Sequence, residues 1–214
     1  MHVGVLALGS HNERHGAALP LDTDARIAEH IAREASRRTG ARFLGVLKSS
    51  YELPWIDTGE HQSLEELVDE VIRVLKKAKK KGMEAVVLVN AHGGNQKLQE
   101  KLDVIQRETG ILVKFNGTII ELEGPHAGTG ELSIGAAIGI ADESKLKEHA
   151  DFSRHPEVGF VGFHEARKRY PWAEKHAREV LEQGVRIDKS LGAKLLEQAI
   201  AKVCKDIEKI SSGS

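Results

Sequence analysis

The chain has 214 residues, 31 Lys and Arg against 32 Asp and Glu, a formal net charge of -1, 40% hydrophobic residues and 4% aromatic ones. Near-neutral charge excludes the basic surface of a nucleic-acid-binding protein, and no apolar run approaches the ~20 residues that span a bilayer. The lone cysteine, Cys204, excludes an internal disulfide and fits a reducing, cytoplasmic setting. With no signal-peptide pattern, repeat or linker, one domain over residues 1–210 is expected, with residues 211–214 as a flexible tail.

Residues 3–8 are apolar and partly β-branched, and Gly9 stops them, which predicts a buried strand. The run from Gly9 to Asp24 follows, then a helix over residues 25–38 with Ile27, Ala28, Ile31, Ala32 and Ala35 at helical spacing. After Thr39-Gly40 a second strand is predicted at residues 42–47, and an irregular stretch at 48–62 has a length usually kept for function. Ser63 and Glu66 form a capping box for a helix whose stripe is Leu67, Val68, Val71, Ile72 and Leu75. Its closing lysines before Gly82 suit a helix C-terminus, so they need no nucleic-acid partner.

Residues 84–89, of which 85–89 are apolar on both faces, predict a central strand of a parallel sheet. That strand delivers Asn90-Ala91-His92-Gly93-Gly94-Asn95 into a helix over residues 96–108. Strands are expected at 111–115 and, more briefly, at 118–122. A glycine-rich loop, Gly124 to Ser133, then carries His126 and Glu131 into a small-residue helix at 134–138. Residues 140–168 show no readable period, and helices are predicted at 171–183 and 190–210. Alternating strands and helices predict an α/β layer structure with a mainly parallel sheet.

In such a sheet, strand-to-helix turns gather at the carboxyl edge, where sites form. Glu13 and His15 are two residues apart and share one side of an extended backbone, while Asp24 opens a helix. With His92 they offer the oxygen and nitrogen donors of a zinc, iron or manganese site, holding one ion, or two if a carboxylate bridges. A divalent ion lowers the pKa of bound water to about 7, which suits hydrolysis of a carbonyl or phosphoryl compound. His126 is placed to protonate a leaving nitrogen, and Glu131 either orients it or completes the shell of a second ion. The glycines of the His92 turn lack the spacing of a P-loop or a dinucleotide fingerprint. His30, His149, His155 and His176 are read as solvated, and Cys204 as a packed thiol.

The three motifs resemble those of the creatininase (creatinine amidohydrolase) family: Gly9-Ser10-x-x-Glu13-x-His15-Gly16-x-x-Leu19-Pro20-x-x-x-Asp24, then Asn90-x-His92-Gly93-Gly94-Asn95, then His126-Ala127-Gly128-x-x-Glu131-x-Ser133. The resemblance implies a three-layer αβα fold with a parallel core sheet, assembly as a homo-oligomer, and a dinuclear metal site. It puts Glu13 and His92 on one metal, His15 on the other and Asp24 between them; His61 and Asn95 are expected against the substrate. Creatininase itself has a Glu two residues after the second-motif His, where this chain has Gly94, and the first motif's usual His is replaced by Ala18. These departures argue against creatinine.

The wording of residues 10–24 is most similar to an archaeal branch. That branch includes an iron(II) hydrolase that releases formate from a formylamino-pyrimidine nucleotide in riboflavin and deazaflavin coenzyme biosynthesis. Fe(II) is then the expected ion, with Zn(II) or Mn(II) as alternatives, and Lys48, Ser49, Ser50 and Tyr51 are candidate phosphate anchors. Two other readings are a family member acting on another cyclic or peptide-like amide, and a non-catalytic flavodoxin-like nucleotide-binding module.

Overall fold

The computed structural model describes residues 1–213. Four strands, β1 (Val3–Leu8), β2 (Arg42–Leu47), β3 (Ala85–Asn90) and β4 (Leu112–Asn116), form one sheet in the order β2-β1-β3-β4 with every pairing parallel. Inner strands β1 and β3 are buried along their whole length, as their unbroken apolar runs require. The two-residue period of β1 sorts its side chains between two layers. Val3, Val5 and Ala7 pack against α1 (Thr23–Thr39) and against the closing helix of the chain, whereas Leu6 and Leu8 pack against α2 (Leu64–Lys80) and α3 (Leu102–Thr109). Each fully buried Leu or Ile in these layers contributes roughly 1.5–3 kcal/mol. The result is an α/β three-layer αβα arrangement.

Local sequence explains several element ends. Ser63 Oγ accepts the Glu66 N–H at 3.2 Å and Glu66 Oε2 accepts the Ser63 N–H at 2.9 Å, closing the capping box that starts α2. Other elements differ from the sequence expectation. Residues 118–122 lie in α4 (Thr118–Glu123), not in a strand. Asn116 Oδ1 accepts the Thr118 N–H at 3.1 Å, and Ile119 and Glu123, one helical turn apart, are the buried pair. A short apolar run does not by itself distinguish the two periods. The expected helix at 96–108 is split into a 3₁₀ segment, Gly94–Lys101, and α3.

Helix α5 (Thr129–Ala137) starts five residues before the expected position. Gly128 and Gly130 suggested a loop, but Gly130 sits inside the first turn because a side chain there would strike the Glu123 carbonyl. Residues 140–168 contain α6 (Leu146–His149), α7 (His164–Arg169) and short 3₁₀ turns. Helix α8 (Pro171–Gln183) and α9 (Lys189–Ser212) complete the chain. Ser211 and Ser212, expected in a flexible tail, extend α9 as far as its cap at Gly213, and Ser214 lies outside the described residues. Among the described residues no helix is long and apolar enough to cross a membrane.

Candidate metal centre

β1 and β3 are neighbours, with Leu8 opposite Asn90, yet the helices that follow them lie on opposite faces of the sheet. A crevice opens where two such connections part, at the carboxyl ends of the strands. Gly9 lets the first turn fold down onto α1, since a Cβ there would lie 2.6 Å from the Asp24 carbonyl oxygen. The chain so returned carries Glu13, His15 and Asp24; the turn after β3 carries His92, and the first turn of α5 carries Glu131. All five are at most 3% exposed.

Two linked groups result. In one, His92 Nε2 lies 3.1 Å from Glu13 Oε2 and 3.5 Å from Glu52 Oε2, with His61 close enough to share a ligand sphere. In the other, His15 Nε2 lies 2.9 Å from Asp24 Oδ1 and 3.3 Å from Glu131 Oε1, with His126 adjoining. Glu13, His15 and Asp24 form a third, overlapping group that joins the two. The His15 Nδ1–H donates to the Glu13 carbonyl at 2.9 Å, which directs Nε2 toward the carboxylates.

Burial and charge oppose each other throughout. Burial pushes Glu13 up, but His92 foremost, with the His15 charge, outweighs it and holds the carboxyl well below its usual range. Burial lowers His92, and Glu13 with Glu52 reverses this, raising it to about 10. Burial pushes Glu131 up as well, yet His15 brings it down to about 2. His15 is raised well above its ordinary value because Glu131 and Asp24 overcome burial. Asp24 is itself raised, by burial and then by Glu13. Burial, offset in part by His92, brings Glu52 to about 7. This is a concentration of buried acid that the imidazoles alone neutralise, and no Lys or Arg forms an ion pair with it among the described residues.

The donor set fits a divalent ion. Glu13 Oε2 and His92 Nε2 face each other without hydrogen-bond alignment, and neither has a hydrogen-bond partner among the described residues. Leaving buried polar atoms unpaired costs about 1–3 kcal/mol each, a cost that coordination removes. Imidazole and carboxylate donors are compatible with zinc, iron or manganese.

These groups lie against a cavity of about 410 Å³, lined by Glu13, Asp24, Glu52, His126, Glu131, Phe160 and Trp172 among others. The His126 Nε2–H donates to the Arg14 carbonyl at 2.8 Å, and the ring stacks on Phe160 at 5.1 Å. Since a carbonyl only accepts, Nδ1 is the nitrogen left with a lone pair; burial and the nearby His15 charge lower this imidazole and keep it neutral. Glu131 Oε2, 3.9 Å from that Nδ1, accepts the Ala127 N–H at 2.5 Å.

Of the residues expected against a substrate, His61 and Asn95 are not among those lining the cavity. His61 is bonded to Ser50 and Thr58, and burial lowers it to about 4. Asn95 is fully buried and its Oδ1 accepts the Tyr51 N–H at 2.9 Å. Ser50, a candidate phosphate anchor, is likewise buried and paired with His61, and neither Lys48, Ser49 nor Tyr51 lines the cavity. His149, read as solvated, is fully buried: Nδ1 accepts the Ala18 N–H at 3.1 Å and Nε2–H donates to the Ala127 carbonyl at 2.8 Å, which pins the first and third turns together. His155 and His176 are half-buried, and His30 is exposed as expected. Sequence reasoning missed Glu52, Phe160 and Trp172: Glu52 lies in the irregular stretch 48–62, Phe160 in the stretch 140–168 without a readable period, and Trp172 in a helix no motif tied to the site.

The family model for creatinine amidohydrolase matches residues 1–207. The chain belongs to the creatininase family. Among solved members, a creatinine amidohydrolase is 17% identical, covers 97% of this chain and 89% of its own, and superposes with a TM-score of 0.71. A mutant creatininase of Zn-Zn type is 16% identical over 97% of this chain and 90% of its own, with a TM-score of 0.69. At this identity the likeness concerns the fold. Nearer in sequence is a protein of Methanobrevibacter ruminantium named 2-amino-5-formylamino-6-ribosylaminopyrimidin-4(3H)-one 5'-monophosphate deformylase, 49% identical over 97% of this chain and 89% of its own. Relatives of the same name from Methanothermus fervidus, 45% identical over 96% of this chain and 83% of their own, and from Methanothermobacter thermautotrophicus, 45% identical over 97% and 89%, extend the match.

Proposed function

We propose that this creatininase-family chain is a divalent-metal amidohydrolase that removes formate from 2-amino-5-formylamino-6-ribosylaminopyrimidin-4(3H)-one 5'-monophosphate. The observation that carries the metal reading is the pair of unpartnered buried atoms, Glu13 Oε2 and His92 Nε2, beside the cavity. The substrate is favoured by relatives 45–49% identical over nearly the whole chain that bear that name. Glu13, His92, His15 and Asp24 would hold the metal, with Glu131 beside His15; Fe(II) is the proposed ion, and Zn(II) or Mn(II) fit the same donors. When bound, it supplies Lewis acidity toward the formyl oxygen and lowers the pKa of water.

The protein's own groups handle the proton. The reaction adds one water across the formamide C–N bond and yields formate and a ring amine. Neutral His126, with Nε2–H tied to the Arg14 carbonyl, accepts a proton from water at Nδ1 and returns it to the departing nitrogen. Glu131, ionised and 3.9 Å away, stabilises the imidazolium in between. Phe160, stacked on His126 in the cavity wall, holds the ring in place and excludes water from its face.

The test is direct. Chain loaded anaerobically with Fe(II) is expected to release one formate per formylamino-pyrimidine nucleotide consumed and to leave creatinine unchanged. Folded, iron-loaded protein that releases no formate contradicts the reading.

A further inference from the structure

Glu52 lies in the irregular stretch between β2 and α2, in none of the three motifs, yet its side chain is only 9% exposed and its Oε2 is 3.5 Å from His92 Nε2. Its own backbone explains part of this placement. The Tyr51 N–H is held by Asn95 Oδ1 at 2.9 Å, and Tyr51 is bridged to Gln62 across the same loop. Gly94 completes the dock: a Cβ at that position would collide with the Tyr51 carbonyl and lie 2.9 Å from Glu52 Oε1. The second-motif turn therefore receives the 51–52 segment in a space that any side chain at position 94 would fill.

Only one oxygen of Glu52 is hydrogen-bonded. Oε1 accepts the adjacent Leu53 N–H at 2.6 Å, whereas Oε2 faces only His92, whose Nε2 is without a hydrogen-bond partner among the described residues. Glu13 and Glu52 thus both approach one imidazole nitrogen in a buried wall where, among the described residues, no Lys or Arg forms an ion pair with either. Two carboxylates converging on one buried nitrogen repel each other, and here the charge of a single imidazole is all that stands between them. Glu13, Glu52, His61 and His92 each offer a donor atom within 4.8 Å of the others.

We propose that Glu52 is a protein ligand to the ion held by Glu13 and His92, supplied from the β2–α2 loop, and that Gly94 and Asn95 dock the segment that delivers it. The inference rests on the metal reading of the site.

It is tested by titrating the metal-free full-length chain with Mn(II) and with Zn(II), following affinity by calorimetry and ion content by elemental analysis, in wild type, Glu52→Gln and Glu52→Asp. Expected is at least about tenfold weaker binding of one ion in Glu52→Gln, with partial recovery in Glu52→Asp. Thermal melts add a readout that a merely structural role would not produce. Without metal, Glu52→Gln melts at or above the wild-type temperature because repulsion is relieved, while the rise on adding metal shrinks. Wild-type affinity and ion content in Glu52→Gln overturn the assignment of Glu52 alone. A wild-type chain that binds no ion overturns the metal reading and this inference with it. If Glu52→Gln fails to fold, Glu52→Asp decides: unchanged affinity there, with unchanged metal-induced stabilisation, counts against the proposal.

Discussion

The two halves of the site are made of the same residue types and differ in how completely they satisfy themselves. His15, Asp24 and Glu131 form a closed set: both nitrogens of His15 have oxygen partners, and Glu131 takes a backbone N–H besides. Glu13, His92 and Glu52 form an open one, with a carboxylate oxygen and an imidazole nitrogen 3.1 Å apart and neither in an aligned hydrogen bond. A closed ion pair persists without a cofactor, because its charges already compensate one another. An open set persists only because the surrounding sheet and loops hold it, and it gains most when a cation enters. The difference points to the Glu13–His92 side as the half whose occupancy matters most to stability and to the architecture of the cavity.

The largest effect expected from breaking this contrast is at His92. Since losing an outer partner of a metal ligand already costs about 10–100-fold in affinity, His92→Ala should lower ion affinity by more than that and abolish formate release; calorimetry and a formate assay measure both. Next is His126→Gln, which leaves the metal donors in place but removes the proton carrier. It should cost about 10²–10⁴-fold in kcat with ion content unchanged, and equal losses of ion and activity would contradict the division of roles.

A third change acts on the scaffold beneath the closed half. Gly192 of α9 packs directly on the Ser133 carbonyl of α5, with no room for a Cβ. Gly192→Ala should cost about 1–3 kcal/mol by overpacking, visible in denaturant unfolding. Because α5 carries Glu131, it should disturb the closed half before the open one, with ion binding at Glu13–His92 the better preserved.

The smallest effect is a pH slope at the pin between the turns. Burial lowers His149 below its ordinary value of 6.5, helped by the nearby His155, while the Ala127 carbonyl, Glu131 and Glu157 oppose. The folded chain therefore keeps this ring neutral after the unfolded chain has begun to take up a proton, so the unfolded state binds more protons. Stability from His149 is complete above about pH 6.5 and falls as the pH drops below it, by at most ~1.4 kcal/mol per pH unit. Metal-free His149→Gln should show a shallower loss between pH 7 and 5 than wild type; identical slopes would mean that the ring titrates alike in both states.

How much of this was legible in the sequence follows the same contrast. β1, β2 and α8 stand at the predicted boundaries because a strand or helix bounded by glycine or proline declares its period and its ends. Glu13, His15, Asp24 and His92 were readable because each lies just past a strand or at a helix start, where parallel topology dictates convergence. Glu52 was not, since its position depends on Asn95 and Gly94, forty residues away, and no local pattern encodes that docking. His149 likewise acquires its role only through Ala18 and Ala127. The 118–122 segment was misread because five apolar-rich residues suit either period until Asn116 Oδ1 takes the Thr118 N–H at the start of α4. What sequence concealed at Glu52 and His149 was nonlocal.

The central claim is that the unpaired Glu13 and His92 atoms exist to hold a divalent ion. Anomalous diffraction from crystals of the chain grown with Fe(II) under anaerobic conditions, recorded across the iron edge, tests it most directly. The account predicts an anomalous peak within coordination distance of Glu13 Oε2 and His92 Nε2, with Glu52 turned toward it. Diffraction that shows those two side chains ordered, in direct contact and without an anomalous peak would contradict it.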